Sequence, residues 1–158
     1  MAMEDKVCSF FGHREIMLTE ELYTTILTEI EKSVDLGCRI FYFGGFGEFD
    51  NLCYQIVSKL KAERPNLHIR RIYCVPQEAL LRKKSRWLLD GEYEDVVFLV
   101  PKLSGWYRSI FFRNCAMIDG SDVIIFYAEN RKESGAYKAY RYALTKKEKT
   151  VINLYPIK

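Results

Sequence analysis

The sequence predicts a three-layer α/β domain, a mainly parallel sheet with helices on both faces. Two observations carry that expectation. Short apolar runs of strand length alternate with longer stretches whose apolar residues recur every three or four positions, and the alternation continues from one end of the chain to the other. Strands separated by helix-length segments imply βαβ units, and hence parallel strands joined by right-handed crossovers. With 158 residues, the chain is expected to form one domain over residues 1–158, large enough to bury a core without covalent staples.

The elements follow in order. Residues 6–11 (KVCSFF) form the first expected strand. A helix is expected over residues 18–36, with Thr19 as N-cap, Leu22, Ile26, Ile30 and Val34 on one face, and Gly37 just past its end. Residues 38–43 (CRIFYF) make the second strand and residues 47–61 the next helix, with Leu52, Ile56 and Leu60 at spacing four and Pro65 soon after. A third strand is expected over 67–75, an amphipathic helix over 77–89 and a fourth strand over 94–100. Then come a helix over 106–119, a β-branched strand over 122–127 (DVIIFY), a helix over 134–146 and a last strand over 150–155. The loop 100–106, which holds Pro101 and Gly105, is the best candidate for a mobile segment.

Composition narrows the class. Apolar residues make up 49% and charged residues 28%, as in ordinary globular proteins. Lys and Arg number 24 against 21 acids, a net charge of only +3, so nucleic acid is expected to be an unlikely partner. The densest basic run, Arg82, Lys83, Lys84 and Arg86, reads as a solvated helix face. None of the five cysteines forms a C-x-x-C pair, and they are expected to be buried thiols in a reducing compartment. With only two histidines, no metal centre is expected. No apolar run approaches the roughly 20 residues of a membrane span, and the first residues lack a signal-peptide core, so a cytoplasmic location without a membrane partner is expected.

In open α/β sheets ligands bind beyond the carboxyl ends of the strands, which directs attention to the residues just after each one. After the first strand come Gly12, His13 and Arg14: a glycine that lets the backbone approach a ligand and two side chains suited to an anion. After the second come Gly44, Gly45, Phe46 and Gly47, then Asp50. Three glycines in four positions at a strand-to-helix junction suit a phosphate cradle of free amides, and Asp50 suits a helix cap or a sugar hydroxyl. The spacing is neither a Walker A loop nor G-x-G-x-x-G. After the fifth strand, Glu133, Ser134, Gly135 and Ala136 open the next helix as a second anion seat, with Ser134 equally suited to plain capping. Arg113 and Asn114 are placed to reach the ligand edge, whereas Asp119 and Asp122 read as turn and cap residues at the opposite edge.

These residues carry a resemblance. Cys8 to Arg14 resembles the Phe-Thr-Gly-His-Arg start of the YpsA-like proteins, and Arg113 to Ile125 (RNCAMIDGSDVII) is similar to a later segment of theirs. Ser134, Gly135 and Ala136 fall where they carry a Gly-Gly-Thr element. Those proteins belong to the SLOG superfamily, a Rossmann-like group that includes the DprA DNA-processing proteins and the LOG cytokinin-activating enzymes. The resemblance spans nearly the whole chain. It implies a Rossmann-like fold and a nucleotide-derived ligand (ADP-ribose-like, cyclic nucleotide or NAD-related) held at Gly12, His13, Arg14, Gly44, Gly45, Gly47 and Gly135. It names no cofactor.

The LOG enzymes, which hydrolyse an N-glycosidic bond, carry P-G-G-x-G-T-x-x-E. The matching stretch here, residues 133–140 (ESGAYKAY), lacks the second glycine, the threonine and the final glutamate. The leading expectation is therefore a binding module that senses or sequesters its ligand, with a homodimer supplying part of the site. The alternative is an N-glycosidic hydrolase or transferase, which needs a carboxylate near the anomeric carbon. Glu48, Asp50, Glu129 and Glu133 are the candidates, Asp50 and Glu133 foremost.

Overall fold

The computed structural model describes residues 4–45, 47–83, 91–99 and 105–156. Six strands form one sheet: β1 (Lys6–Gly12), β2 (Cys38–Phe43), β3 (Arg70–Cys74), β4 (Asp95–Val97), β5 (Val123–Tyr127) and β6 (Thr150–Asn153). The helices are α1 (Glu20–Asp35), α2 (Glu48–Glu63), α3 (Trp106–Asp119) and α4 (Gly135–Leu144). All strand pairs are parallel, in the order β4-β3-β2-β1-β5-β6. The expected three-layer α/β architecture is present.

The strand alternation explains the layers, because successive side chains point to opposite faces. Phe10 packs with Leu22, Ile26 and Ile30 of α1 and Ile56 and Val57 of α2 on one face. Its neighbour Phe11 packs on the other with Met117 and Ile118 of α3 and Ala139 and Ala143 of α4. The central strand β5 is buried on both sides, which is why it reads as an unbroken apolar run. α1 is capped as expected: Thr19 Oγ1 accepts from the Leu22 amide at 3.1 Å, and Gly37 takes the positive φ of 108° that ends the helix. All five cysteines are buried thiols.

Two elements differ from expectation. β3 starts at Arg70, because Pro65–Leu67 winds into a 3-10 turn and His68 takes a left-handed φ of 54°. The helix expected over 77–89 appears as a 3-10 segment, Glu78–Lys83; residues 84–89, with Lys84 and Arg86 of the basic run, lie outside the described residues. So do residues 100–104 of the loop expected to be mobile. No described helix is long and apolar enough to cross a membrane.

The topology also positions a site. From β1 the chain steps outward through β2 and β3 to β4, then returns to place β5 on the other side of β1. The loops after β1 and β5 therefore leave in opposite directions and open a crevice between them, the place where α/β sheets hold ligands.

Candidate functional site

A crevice of about 400 Å³ lies at that switch point. Gly12, His13 and Arg14 reach it from β1, Gly44 and Asp50 from the β2–α2 region, Arg113 and Asn114 from α3, and Ser134, Gly135 and Ala136 from the start of α4. Most of the residues singled out in the sequence are thus brought together from segments more than 100 positions apart. Gly45 and Gly47 border a separate cleft instead. Glu133 is exposed and does not line the crevice. Phe46 lies outside the described residues.

The roles within the crevice differ from the sequence expectation. A Cβ at Gly12 would fall 2.3 Å from the Phe49 ring, so this glycine makes room for an aromatic side chain of α2. His13 is buried, and its Nε2 accepts from the Glu129 amide at 2.7 Å, which requires that nitrogen to be unprotonated. Nδ1 faces Ser134 Oγ at 3.3 Å. Burial, and then the charge of Arg131, holds its pKa below the usual value. His13 is therefore a neutral brace between the β1 and β5 loops rather than a cation for an anion. Arg14, by contrast, is exposed at the crevice.

The β2–α2 loop is closed upon itself. Asp50 is buried, and its carboxylate accepts from the amides of Gly44 at 3.3 Å and Gly45 at 3.0 Å. The amides expected to be free for a phosphate thus already hold a carboxylate. The opposite side of the loop is held by Arg113, whose Nη1 donates to the carbonyls of Gly44 at 3.1 Å and Cys74 at 2.8 Å while Nε donates to Asn114 Oδ1 at 2.9 Å. Desolvation pushes the Asp50 carboxyl up to about 6, against the pull of the two amides and of the Arg113 charge. A Cβ on Gly45, at φ 80°, would lie 2.8 Å from Tyr73, and one on Gly47, at φ 92°, 2.8 Å from the Arg14 Cα. These glycines allow close approach of protein to protein.

The start of α4 is open. Ser134 caps the helix by accepting from the Tyr137 amide at 3.1 Å. The amides of Gly135 and Ala136, the next two along, make no hydrogen bond to the described residues. Nothing lies within 4 Å of a Cβ built on Gly135. Arg131 lines the same crevice, with Nε spent on Glu129 Oε2 at 2.8 Å. Glu48 is also committed, its Oε2 accepting from the Ile16 amide at 2.7 Å. As expected, Asp119 and Asp122 serve the opposite edge: Asp122 Oδ2 accepts from the amide of Val7 at 2.9 Å, and Asp119 Oδ1 from the Tyr142 hydroxyl at 2.7 Å.

Sequence reasoning did not single out Trp106, Ile110 or Arg131 as site residues, yet all three line the crevice. The signal for two of them was present. Trp106, Ile110, Arg113 and Asn114 follow the three-and-four spacing of one helix face, and that face of α3 is the crevice wall. Among the described residues, no three His, Cys, Asp or Glu side chains could hold a metal ion together.

No protein-family model matches the chain, and no curated protein matches it. Solved structures do. DNA processing protein A (DprA) from Helicobacter pylori superposes with a TM-score of 0.60 at 17% identity, covering 92% of this chain and 64% of that one. DprA from Streptococcus pneumoniae gives 0.58 at 13% identity, covering 93% of this chain and 49% of that one. The chain therefore spans about half of one of these proteins and just under two thirds of the other.

The comparison corrects one expectation. The Helicobacter pylori structure describes a single-stranded DNA binding mode, so a weak net charge on this architecture does not make nucleic acid an unlikely partner. Net charge averages over the whole surface, whereas phosphate contacts depend on the local field, and here Arg14, Arg113 and Arg131 converge on one crevice. At these identities the likeness establishes the fold alone: a Rossmann-like, DprA-type α/β sheet.

Proposed function

We propose that the chain is a binding module that holds a nucleotide-derived ligand by its phosphate in the switch-point crevice. The observation that carries this reading is the convergence of Arg14, Arg131 and the uncommitted amides of Gly135 and Ala136 on one crevice. Two guanidinium groups and a helix start are complementary to a phosphate in charge and in hydrogen bonding. A volume of about 400 Å³ is within the range of small-molecule sites. Binding is favoured over cleavage because Asp50, the buried carboxylate of the crevice, has both oxygens engaged by backbone amides.

The test is calorimetric titration with nucleotides of the ADP-ribose, NAD and cyclic classes. Arg14→Ala and Arg131→Ala should each weaken the bound class about tenfold, the scale of one charge-assisted hydrogen bond, and leave the melting temperature nearly unchanged. Affinity untouched by both substitutions rejects the reading. Chromatography of the recovered ligand separates binding from turnover: an intact ligand supports a binder, and a released base moves the function to N-glycosidic cleavage.

A second reading follows from the Helicobacter pylori comparison: the phosphate belongs to a single-stranded nucleic acid. Anisotropy with a labelled oligonucleotide separates the two sources. Strand binding weakens steeply with added salt in proportion to the phosphates neutralised, whereas a single-phosphate ligand shows a shallow dependence.

A further inference from the structure

A second cleft of about 310 Å³ lies on the other side of the Gly44–Gly45 loop. We propose that it seats the base and sugar of the nucleotide whose phosphate occupies the switch-point crevice, an inference that rests on the phosphate reading above.

The two clefts are neighbours. Asp50 borders both, and the consecutive residues Gly44 and Gly45 border one each. Their described linings differ in charge. The crevice carries Arg14, Arg113 and Arg131 beside Glu15 and Asp50, whereas among the described residues the second cleft is lined by Asp50, Asn51 and Glu92 and by no Lys, Arg or His. Such a wall disfavours phosphate and accepts hydrogen bonds from ribose hydroxyls and from the N–H groups of a base.

The remaining wall is aromatic and held in place. Tyr54 and Tyr93 line the cleft, with ring centroids 5.1 Å apart, and Tyr93 packs 5.3 Å from Tyr73. The Tyr54 hydroxyl donates to the Glu92 carbonyl and accepts from Arg71 Nη1 at 3.3 Å. Arg71 is anchored in turn by Glu94, through Nε at 3.0 Å and Nη2 at 2.8 Å. The rings are thus pre-positioned for a planar base, and little ordering is left for binding to cost. Base stacking on aromatic rings tolerates any base, because each has a π-face.

The test compares adenosine 5′-monophosphate with ribose 5-phosphate by calorimetry. On the unaltered protein the nucleotide should bind about tenfold tighter or more, the contribution of one stacked base. Tyr93→Leu, which keeps bulk but removes the ring, should erase that margin and leave ribose 5-phosphate affinity unchanged. Tyr93 also packs on the core, so Asn51→Trp serves as the second variant: it fills the cleft from an exposed position on α2 and should exclude the base and so erase the margin, even where it also weakens ribose 5-phosphate. Equal binding of the two probes by the unaltered protein, or a margin that survives Asn51→Trp, overturns this inference and leaves the phosphate reading standing. Binding of neither probe overturns both.

Discussion

The β2–α2 loop and the β5–α4 loop both carry glycine at the carboxyl end of a parallel strand, yet they do opposite things. In the first, Asp50 fills the amide nest of Gly44 and Gly45, and Tyr73 and Arg113 press against the glycines. In the second, Ser134 caps one amide and leaves Gly135 facing open space. A glycine after a strand therefore has two meanings. It can admit a ligand, or it can admit another part of the same protein, and the sequence looks the same in both cases.

Substitution should separate the two loops most sharply. Gly45→Ala places a Cβ 2.8 Å from Tyr73 at φ 80° and should destabilise the fold by about 3 kcal/mol. Urea denaturation measures this, and a loss below about 1 kcal/mol would mean the loop is not locked.

The next largest effect is a pH dependence. Burial raises the Asp50 carboxyl from 3.8 to about 6, so the folded chain holds that proton more tightly than the unfolded chain. Its contribution to stability therefore falls as pH rises between those two values, by about 3 kcal/mol in all for a shift of that size. The depressed pKa of His13 acts in the opposite sense below its ordinary value. The comparison is therefore with Asp50→Asn, which should lose the Asp50 part of the slope while keeping the His13 part. Parallel stability–pH profiles for the two proteins would show that Asp50 is not the titrating group.

His13→Ala removes the acceptor for the Glu129 amide and should cost about 1–3 kcal/mol. Hydrogen exchange at Glu129 and across the start of α4 should accelerate more than at β1. Uniform acceleration across the sheet would mean that the histidine does not brace that loop in particular. The smallest effect carries the opposite sign: Gly135→Ala meets nothing within 4 Å at the first residue of a helix and should stabilise by about 0.5 kcal/mol. The same change should weaken nucleotide binding if a ligand approaches that backbone, which makes the pair Gly45→Ala and Gly135→Ala the most direct contrast between the loops.

Much of the fold was legible before the structure. Each of the six strands lies at a predicted run, and Thr19 and Gly37 bound α1 as their chemistry requires. These features depend on neighbours within a few positions: apolar period, β-branching, a hydroxyl before a helix. That a crevice would lie at the carboxyl ends was equally legible, because it follows from parallel strands. The assignment of roles within the site was not. His13 looked like an anion ligand because its partners, Glu129 and Ser134, lie 116 and 121 positions away. Asp50 looked like a cap or a sugar contact because the sequence does not say which amides it meets.

By itself, then, the sequence determined the alternation of strand and helix, the two-sided burial of the sheet and the segments that gather at its carboxyl edge. The tertiary structure decided the strand order, which side of β1 receives β5, which glycine amides are already occupied, and that Tyr54, Glu92 and Tyr93 share a cleft with Asp50. The division has a physical cause. Secondary structure is governed by interactions over a few residues, whereas the occupancy of a hydrogen-bonding group and the walls of a cleft depend on chain segments that meet only after the sheet has formed.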